Sequence, residues 1–164
     1  GASTNYAEWG IWDGALSAFE PGNMYLLQMS APATLVVTGT PVDVAQTPID
    51  LIAGWNWLGY LPQNPGAVGV ALESLGEDAL FINSQADGAS TNYAEWGIWD
   101  GALSAFEPGT MYLLQMSAPA TLVVTGTPVD VAQTPIDLID GWNWLGYLPQ
   151  NPGAVGVALE SLGE

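Results

Sequence analysis

The chain has 164 residues and contains no lysine, arginine, histidine or cysteine. Each absence removes a class of chemistry. Without Lys or Arg, no side-chain salt bridge can form and nothing neutralises a phosphate backbone, so nucleic acid is not an expected partner. Anionic lipid is repelled for the same reason. Without His or Cys, zinc and haem ligand sets, Ser-His-Asp and Cys-His arrangements and disulfide frameworks cannot be built. No apolar run is long enough to span a bilayer, so membrane insertion is not expected. The polar N-terminal stretch lacks the positive region of a signal peptide. GTPVDV lacks the Gly-Lys-Ser/Thr ending of a phosphate loop, and GAVGVA lacks the glycine spacing of a dinucleotide loop.

What remains is apolar, aromatic and acidic. Apolar residues make up 49% of the chain, with eight Trp, six Tyr and three Phe, enough for a core without disulfides. All seventeen charged side chains are carboxylates, for a net charge of -17. Each must face water, accept hydrogen bonds, bind a cation or take up a proton. Salt or mild acid should therefore stabilise the fold by relieving repulsion.

Residues 1–77 recur as residues 88–164, differing only where Asn23 becomes Thr110 and Ala53 becomes Asp140. Residues 78–87, DALFINSQAD, occur once between the copies. Near-identity over this length marks a tandem repeat and suggests a piece of a longer array. The frame divides into residues 1–41, a partial module completing or completed by a neighbour, residues 42–128, one full unit, and residues 129–164, a partial next module. Units of this kind complete one another along the chain, or between molecules head to tail.

Within a unit, residues 23–30 alternate as a strand, with Tyr25, Leu27 and Met29 on one face. Residues 33–39 are β-branched and short, and are expected to pair with them. Residues 47–52 and 55–60 read as two further strands, and period two puts Trp55 and Trp57 opposite Asn56, Leu58 and Tyr60. Gly54 and Gly141 mark turns. Residues 64–77 read as a helix capped by Asn64, with Pro65 at its first position and Val68, Ala71, Leu72 and Leu75 on one stripe. Asn151 and Pro152 repeat that cap. Residues 79–83 read as a strand and residues 85–95 as a polar loop. The fold class is mainly β: small antiparallel β-sandwich or barrel-like modules, each with one short helix, in tandem. The eight tryptophans (Trp9, Trp12, Trp55, Trp57, Trp96, Trp99, Trp142 and Trp144) are expected to form a structural aromatic cluster in the interior, with Asn56 serving indole N–H groups.

The phrases LIAGWNWLGYLPQ, VGVALESLG and LSAFEPGNMYLLQMSAPATL resemble a Gly-Trp-Asn-containing tandem β-rich repeat module of bacterial secreted or surface-anchored proteins. Gly54, Trp55, Asn56, Tyr60 and Pro62 match its first part, and Pro21, Gly22 and Tyr25 its later part. Gly141, Trp142, Asn143, Tyr147, Pro149, Pro108, Gly109 and Tyr112 repeat them. The resemblance implies extracellular or cell-surface placement and non-catalytic work.

Three functions compete. The leading one is a structural or adhesive module of a large extracellular protein, joined to other copies of itself head to tail, in a fibre or against a cell-surface protein or glycan. The second is a carbohydrate-binding module with exposed, roughly coplanar Trp rings. The third is carboxylate-pair hydrolysis, for which Glu8, Asp13, Glu20, Asp43 and Asp50 are the candidates. Asp13 neighbours Gly14 and Glu20 neighbours Pro21, and the acids read as turn residues, so no enzyme and no catalytic residue is expected. No cofactor is expected. Calcium has only Asp87, Ser90 and Asn92 to recommend it, and DGASTN is not an EF-hand loop. Asx-turns explain those residues equally well.

Overall fold

A computed structural model describes residues 1–21 and 23–163. The fold is mainly β, with several small antiparallel sheets and short helices. In the first copy the strands are β1 (Ser3–Tyr6), β2 (Ile11–Gly14), β3 (Ala18–Phe19), β4 (Met24–Met29), β5 (Ala33–Leu35), β6 (Ile49–Leu51), β7 (Gly54–Gly59) and β8 (Gly66–Ala67). The spacer forms β9 (Ala79–Ser84). The second copy repeats the series as β10 (Ala89–Tyr93), β11 (Ile98–Gly101), β12 (Ala105–Phe106), β13 (Met111–Met116), β14 (Ala120–Leu122), β15 (Ile136–Leu138), β16 (Gly141–Gly146) and β17 (Gly153–Ala154).

The two copies build each other. Strand β7 of the first copy pairs with β13 of the second, and β16 of the second pairs with β4 of the first. The same exchange joins β6 to β14, β5 to β15, β8 to β12 and β3 to β17. Hairpins β1–β2 and β10–β11 stay within their own copies. The expected pairing of residues 23–30 with 33–39 is therefore corrected. A six-residue partner, Gly141–Gly146, offers β4 more cross-strand contacts than three-residue β5 could.

Two cores result. One gathers Phe106, Tyr112, Leu114, Leu58, Leu72 and Ile82 beneath the sheet β11-β10-β9-β13-β7. We call this the five-stranded half. The other draws Phe19, Leu27 and Leu35 from one end of the chain and Leu138, Leu145, Val155 and Leu159 from the other. We call this the split half. The valines Val42, Val44, Val129 and Val131, from both copies, also join this second core.

The helix over residues 64–77 is shorter than its stripe predicts. The α-helices are one-turn segments, α1 (Val68–Ala71) and α2 (Val155–Ala158), and residues Glu73–Asp78 form a tighter 3-10 stretch broken at Gly76. Asn64 and Asn151 are not the caps, and Pro65 and Pro152 precede the helices. The N-cap positions are Ala67 and Ala154, without a side-chain cap bond. The ladder to Ala105–Phe106 holds Gly66–Ala67 extended, and Val68 N–H donates to Ser104 O at 3.0 Å, so tertiary pairing delays the helix. Val68, Leu72 and Leu75 are nonetheless buried.

Part of the polar loop over residues 85–95 is the strand β10. Its polar side chains serve the backbone: Ser90 Oγ donates to Leu103 O at 2.5 Å, and Asn92 Nδ2 to Gly76 O at 2.9 Å and Ala79 O at 2.7 Å. Pro21-Gly22 is expected from the sequence as a turn into the next strand, and Gly22 lies outside the described residues. In the second copy, Pro108-Gly109 is a turn with Gly109 at φ 76°.

Candidate functional site: an aromatic sheet face

The GWNW segment is organised by its asparagine. Asn56 Oδ1 accepts from Ile52 N–H at 2.8 Å, and its Nδ2 donates to Ile52 O and Gly54 O at 2.7 and 3.1 Å. Asn143 makes the same three bonds to Ile139 and Gly141. Gly54 and Gly141 turn the chain with φ of +94° and +88°. A Cβ would meet nothing within 4 Å at either position, so the left-handed backbone, not space, requires glycine there.

Holding Asn56 inward fixes the alternation. Leu58 and Tyr60 follow it into the core, and Trp55 and Trp57 must face outward. This corrects the interior tryptophan cluster. None of the eight indoles is fully buried, and the Asn56 amide serves the turn instead of an indole. The cores are built from Leu, Val, Ile, Phe and Tyr. The signal that could have placed the rings is the buried turn-closing Asn two residues beyond a turn glycine.

The tryptophans occupy three settings. Trp55 and Trp57 on β7 and Trp142 on β16 are exposed, with Trp144 half-buried. Across the ladders they oppose Gln115, Leu113, Gln28 and Leu26. Trp57 and Trp144, equivalent residues of the two copies, meet edge to face at 5.0 Å and 89°. Trp55 stands edge-on to Phe81 at 6.1 Å and 89°. The outer faces of the two principal sheets thus meet at an aromatic contact. Gln85 spans the same junction: its Nε2 donates to Trp142 O at 2.6 Å and its Oε1 accepts from Trp144 N–H at 2.8 Å.

Trp9 and Trp96 lie elsewhere, about 70% exposed at 69% and 70%, on 3-10 turns Ala7–Trp9 and Ala94–Trp96 closed by left-handed Gly10 and Gly97. Each stacks on its neighbour, Tyr6 or Tyr93, at 5.5 and 5.6 Å. Trp12 and Trp99 are half-buried against the cores. A Cβ on Gly69 would approach Trp99 Cδ1 to 3.3 Å, so that glycine leaves room for the ring.

The phenols inside the cores are structural. Tyr112 OH accepts from Glu107 N–H at 2.7 Å, closing the Pro108-Gly109 turn, and Tyr25 OH accepts from Glu20 N–H at 2.6 Å. Burial pushes Tyr112 up to about 12, against the lowering effect of its hydrogen bonds. Burial raises Tyr60 too, helped by the Glu107 carboxylate, and raises Tyr147, helped by Tyr25.

The carboxylates Glu8, Asp13, Glu20, Asp43 and Asp50 are all exposed. Asp50 accepts from Thr121 Oγ1 at 2.9 Å across the β6–β14 ladder. Among the described residues, no group of three or more Asp or Glu gathers to hold a metal ion. Asp87 accepts from Ser84 Oγ at 3.0 Å, while Ser90 and Asn92 are spent on backbone carbonyls, so the three do not share one focus. No helix among the described residues is long and apolar enough to cross a membrane. Searches with protein-family models, against curated proteins and against solved structures find no match to this chain.

Proposed function

We propose that this chain is a structural or adhesive repeat module of a large extracellular protein, joined head to tail to further copies of itself. The carrying observation is the exchange of strands between copies: six ladders each take one strand from either repeat. Counted from residue 1, such a repeat does not close on its own sequence and stands by pairing with the next copy; counted from residue 42, three of these ladders close within one unit. In this reading residues 42–128 are one unit, a small antiparallel sandwich, and residues 1–41 and 129–164 are partial modules, which in this chain pair with each other in the split half. The extracellular placement rests on the sequence resemblance. The exposed carboxylate coat keeps such units soluble and apart until specific strands meet. Sedimentation and particle imaging at rising concentration, in salt with and without calcium, test the assembly. Chains of particles joined end to end support it; a monomer throughout overturns it.

A second reading is favoured by one observation, the exposure of Trp55 and Trp57 on one sheet and of Trp142 on the other, where the outer faces of the two sheets meet. Such rings can stack on sugars, which makes a glycan-binding face the alternative. The perpendicular Trp57–Trp144 contact departs from the flat platform that sugar rings prefer. Titration with soluble glycans, read as quenching of indole fluorescence and repeated with Trp55→Ala, separates the two readings.

A further inference from the structure

The five-stranded half and the split half have nearly the same sequence but not the same sheet. In the five-stranded half, β9 lies between β10 and β13. Its register is Ile82 opposite Leu114 and Ser90, and Phe81 opposite Gln115 and Thr91. The equivalents of β10 and β13 in the split half are β1 and β4. Among the described residues β1 pairs only with β2, and β4 only with β16. Between them runs a groove of about 660 Å³. Ser3, Thr4 and Asn5 form one wall and Tyr25, Leu26 and Gln28 the other.

The side chains along the groove carry the mark of an uncovered position. Tyr112 is fully buried, and Tyr25 is only half-buried. Leu113 is half-buried, and Leu26 is 54% exposed. Ser90 is buried, whereas Ser3 is half-buried although its hydroxyl donates to Leu16 O as Ser90 does to Leu103 O. The same residues are therefore covered wherever β9 is present.

A second observation points to the same occupant. Gln85, just after β9, clamps the outer edge of β16 through Trp142 O and Trp144 N–H. The strand exchange is reciprocal, so the equivalent edge is that of β7, at Trp55 O and Trp57 N–H. A strand entering the groove in the β9 register would bring its own glutamine to that edge.

We propose that the groove between β1 and β4 is an acceptor site for an extended strand with the sequence of residues 78–87, supplied by another copy of the repeat. The strand adds antiparallel to both walls by main-chain hydrogen bonds. Its isoleucine goes inward over Leu27 and Ser3, the equivalents of Leu114 and Ser90. Its phenylalanine lies opposite Gln28 and Thr4. Its glutamine clasps β7. Two free strand edges facing one apolar groove are otherwise an aggregation hazard, and a dedicated strand removes both at once. The proposal deepens the head-to-tail reading by naming the joining segment.

The test adds a synthetic peptide of residues 78–87, carrying a fluorophore, to the full chain at a concentration where the chain is monomeric. Polarisation should show one peptide bound per chain. Hydrogen exchange should slow at the amides of Met24–Met29 and Ser3–Tyr6, and at Trp57. An Ile82→Glu peptide should bind more than about a hundredfold more weakly, because it places an unpaired charge in the core. A Gln85→Ala peptide should lose about tenfold. Absence of binding, or binding that ignores Ile82→Glu and leaves those amides unprotected, overturns the acceptor site. The readout needs no assembly, so it stands or falls separately from fibre formation. If chains associate without added peptide and the peptide disperses them, the acceptor site is supported. If they associate and the peptide neither binds nor disperses them, the head-to-tail reading survives and the acceptor site does not.

Discussion

Tyr112 and Tyr25 occupy the same place in two copies of one sequence, and both hydroxyls accept from the backbone of the preceding glutamate. Yet Tyr112 is sealed in a core and Tyr25 is half open to solvent. Neither sequence difference between the copies explains this. Thr110 is near Tyr112, but its counterpart Asn23 is also polar, and Ala53 and Asp140 both lie at exposed turns. The difference comes from the spacer. Its strand β9 sits on one sheet and has no equivalent on the other among the described residues. Local sequence sets the direction of each strand and the face it shows. The neighbouring strand decides how much of that face is buried.

Ways to break this comparison can be ranked by expected effect. Ile82→Ala comes first. Ile82 is fully buried, so truncation should lower stability by about 2–5 kcal/mol in urea unfolding. Exchange in β13 should rise towards that of β4; if β13 stays protected, β9 is not what separates the halves.

Tyr112→Phe and Tyr25→Phe form the next, paired test. Tyr112→Phe leaves the Glu107 N–H without its acceptor in a partly buried place and should cost about 1–3 kcal/mol. Tyr25→Phe frees the exposed Glu20 N–H to water and should cost less than about 1 kcal/mol. Equal losses would erase the distinction between the halves.

Alkaline titration gives a smaller and directional effect. Tyr112 is raised from 10.0 to about 12 in the folded state, so the folded state holds that proton more tightly. The stability this contributes is complete below pH 10 and is lost as the pH rises from about 10 to about 12. Tyrosinate absorbance should show late-ionising phenols, and Tyr112→Phe should remove the last of them. The smallest expected effect is that of Ala53→Asp, which makes the copies alike at an exposed turn. It should stay within about 0.5 kcal/mol and leave the exchange difference between β4 and β13 unchanged.

Much of the local structure was legible from alternation. Tyr25, Leu27 and Met29 share a face, as do Asn56, Leu58 and Tyr60, and β4, β7 and β9 fall where period two puts them. Partnership was not legible. Identical copies offer each strand two chemically equal mates, and only ladder length and chain geometry choose between them. Strand β10 was hidden because Ser90 and Asn92 spend their polarity on carbonyls inside the fold. The helix start was hidden because Gly66–Ala67 pairs with a strand far along the chain. At the aromatic face the alternation was read correctly and the choice of inner side was not, since a tryptophan pair looks more like core than an asparagine does. The hydrogen bonds of Asn56 to Ile52 and Gly54 reverse that judgement.

The split half is made from opposite ends of the chain, and this has a mechanical consequence. Tension applied between Gly1 and Gly163 would load the β4–β16, β5–β15 and β3–β17 ladders first. The five-stranded half lies between those attachment points in the sequence and would feel the pull only after they part. Under load the molecule would lengthen in two stages, with the aromatic contact of Trp57 and Trp144 at the boundary between them.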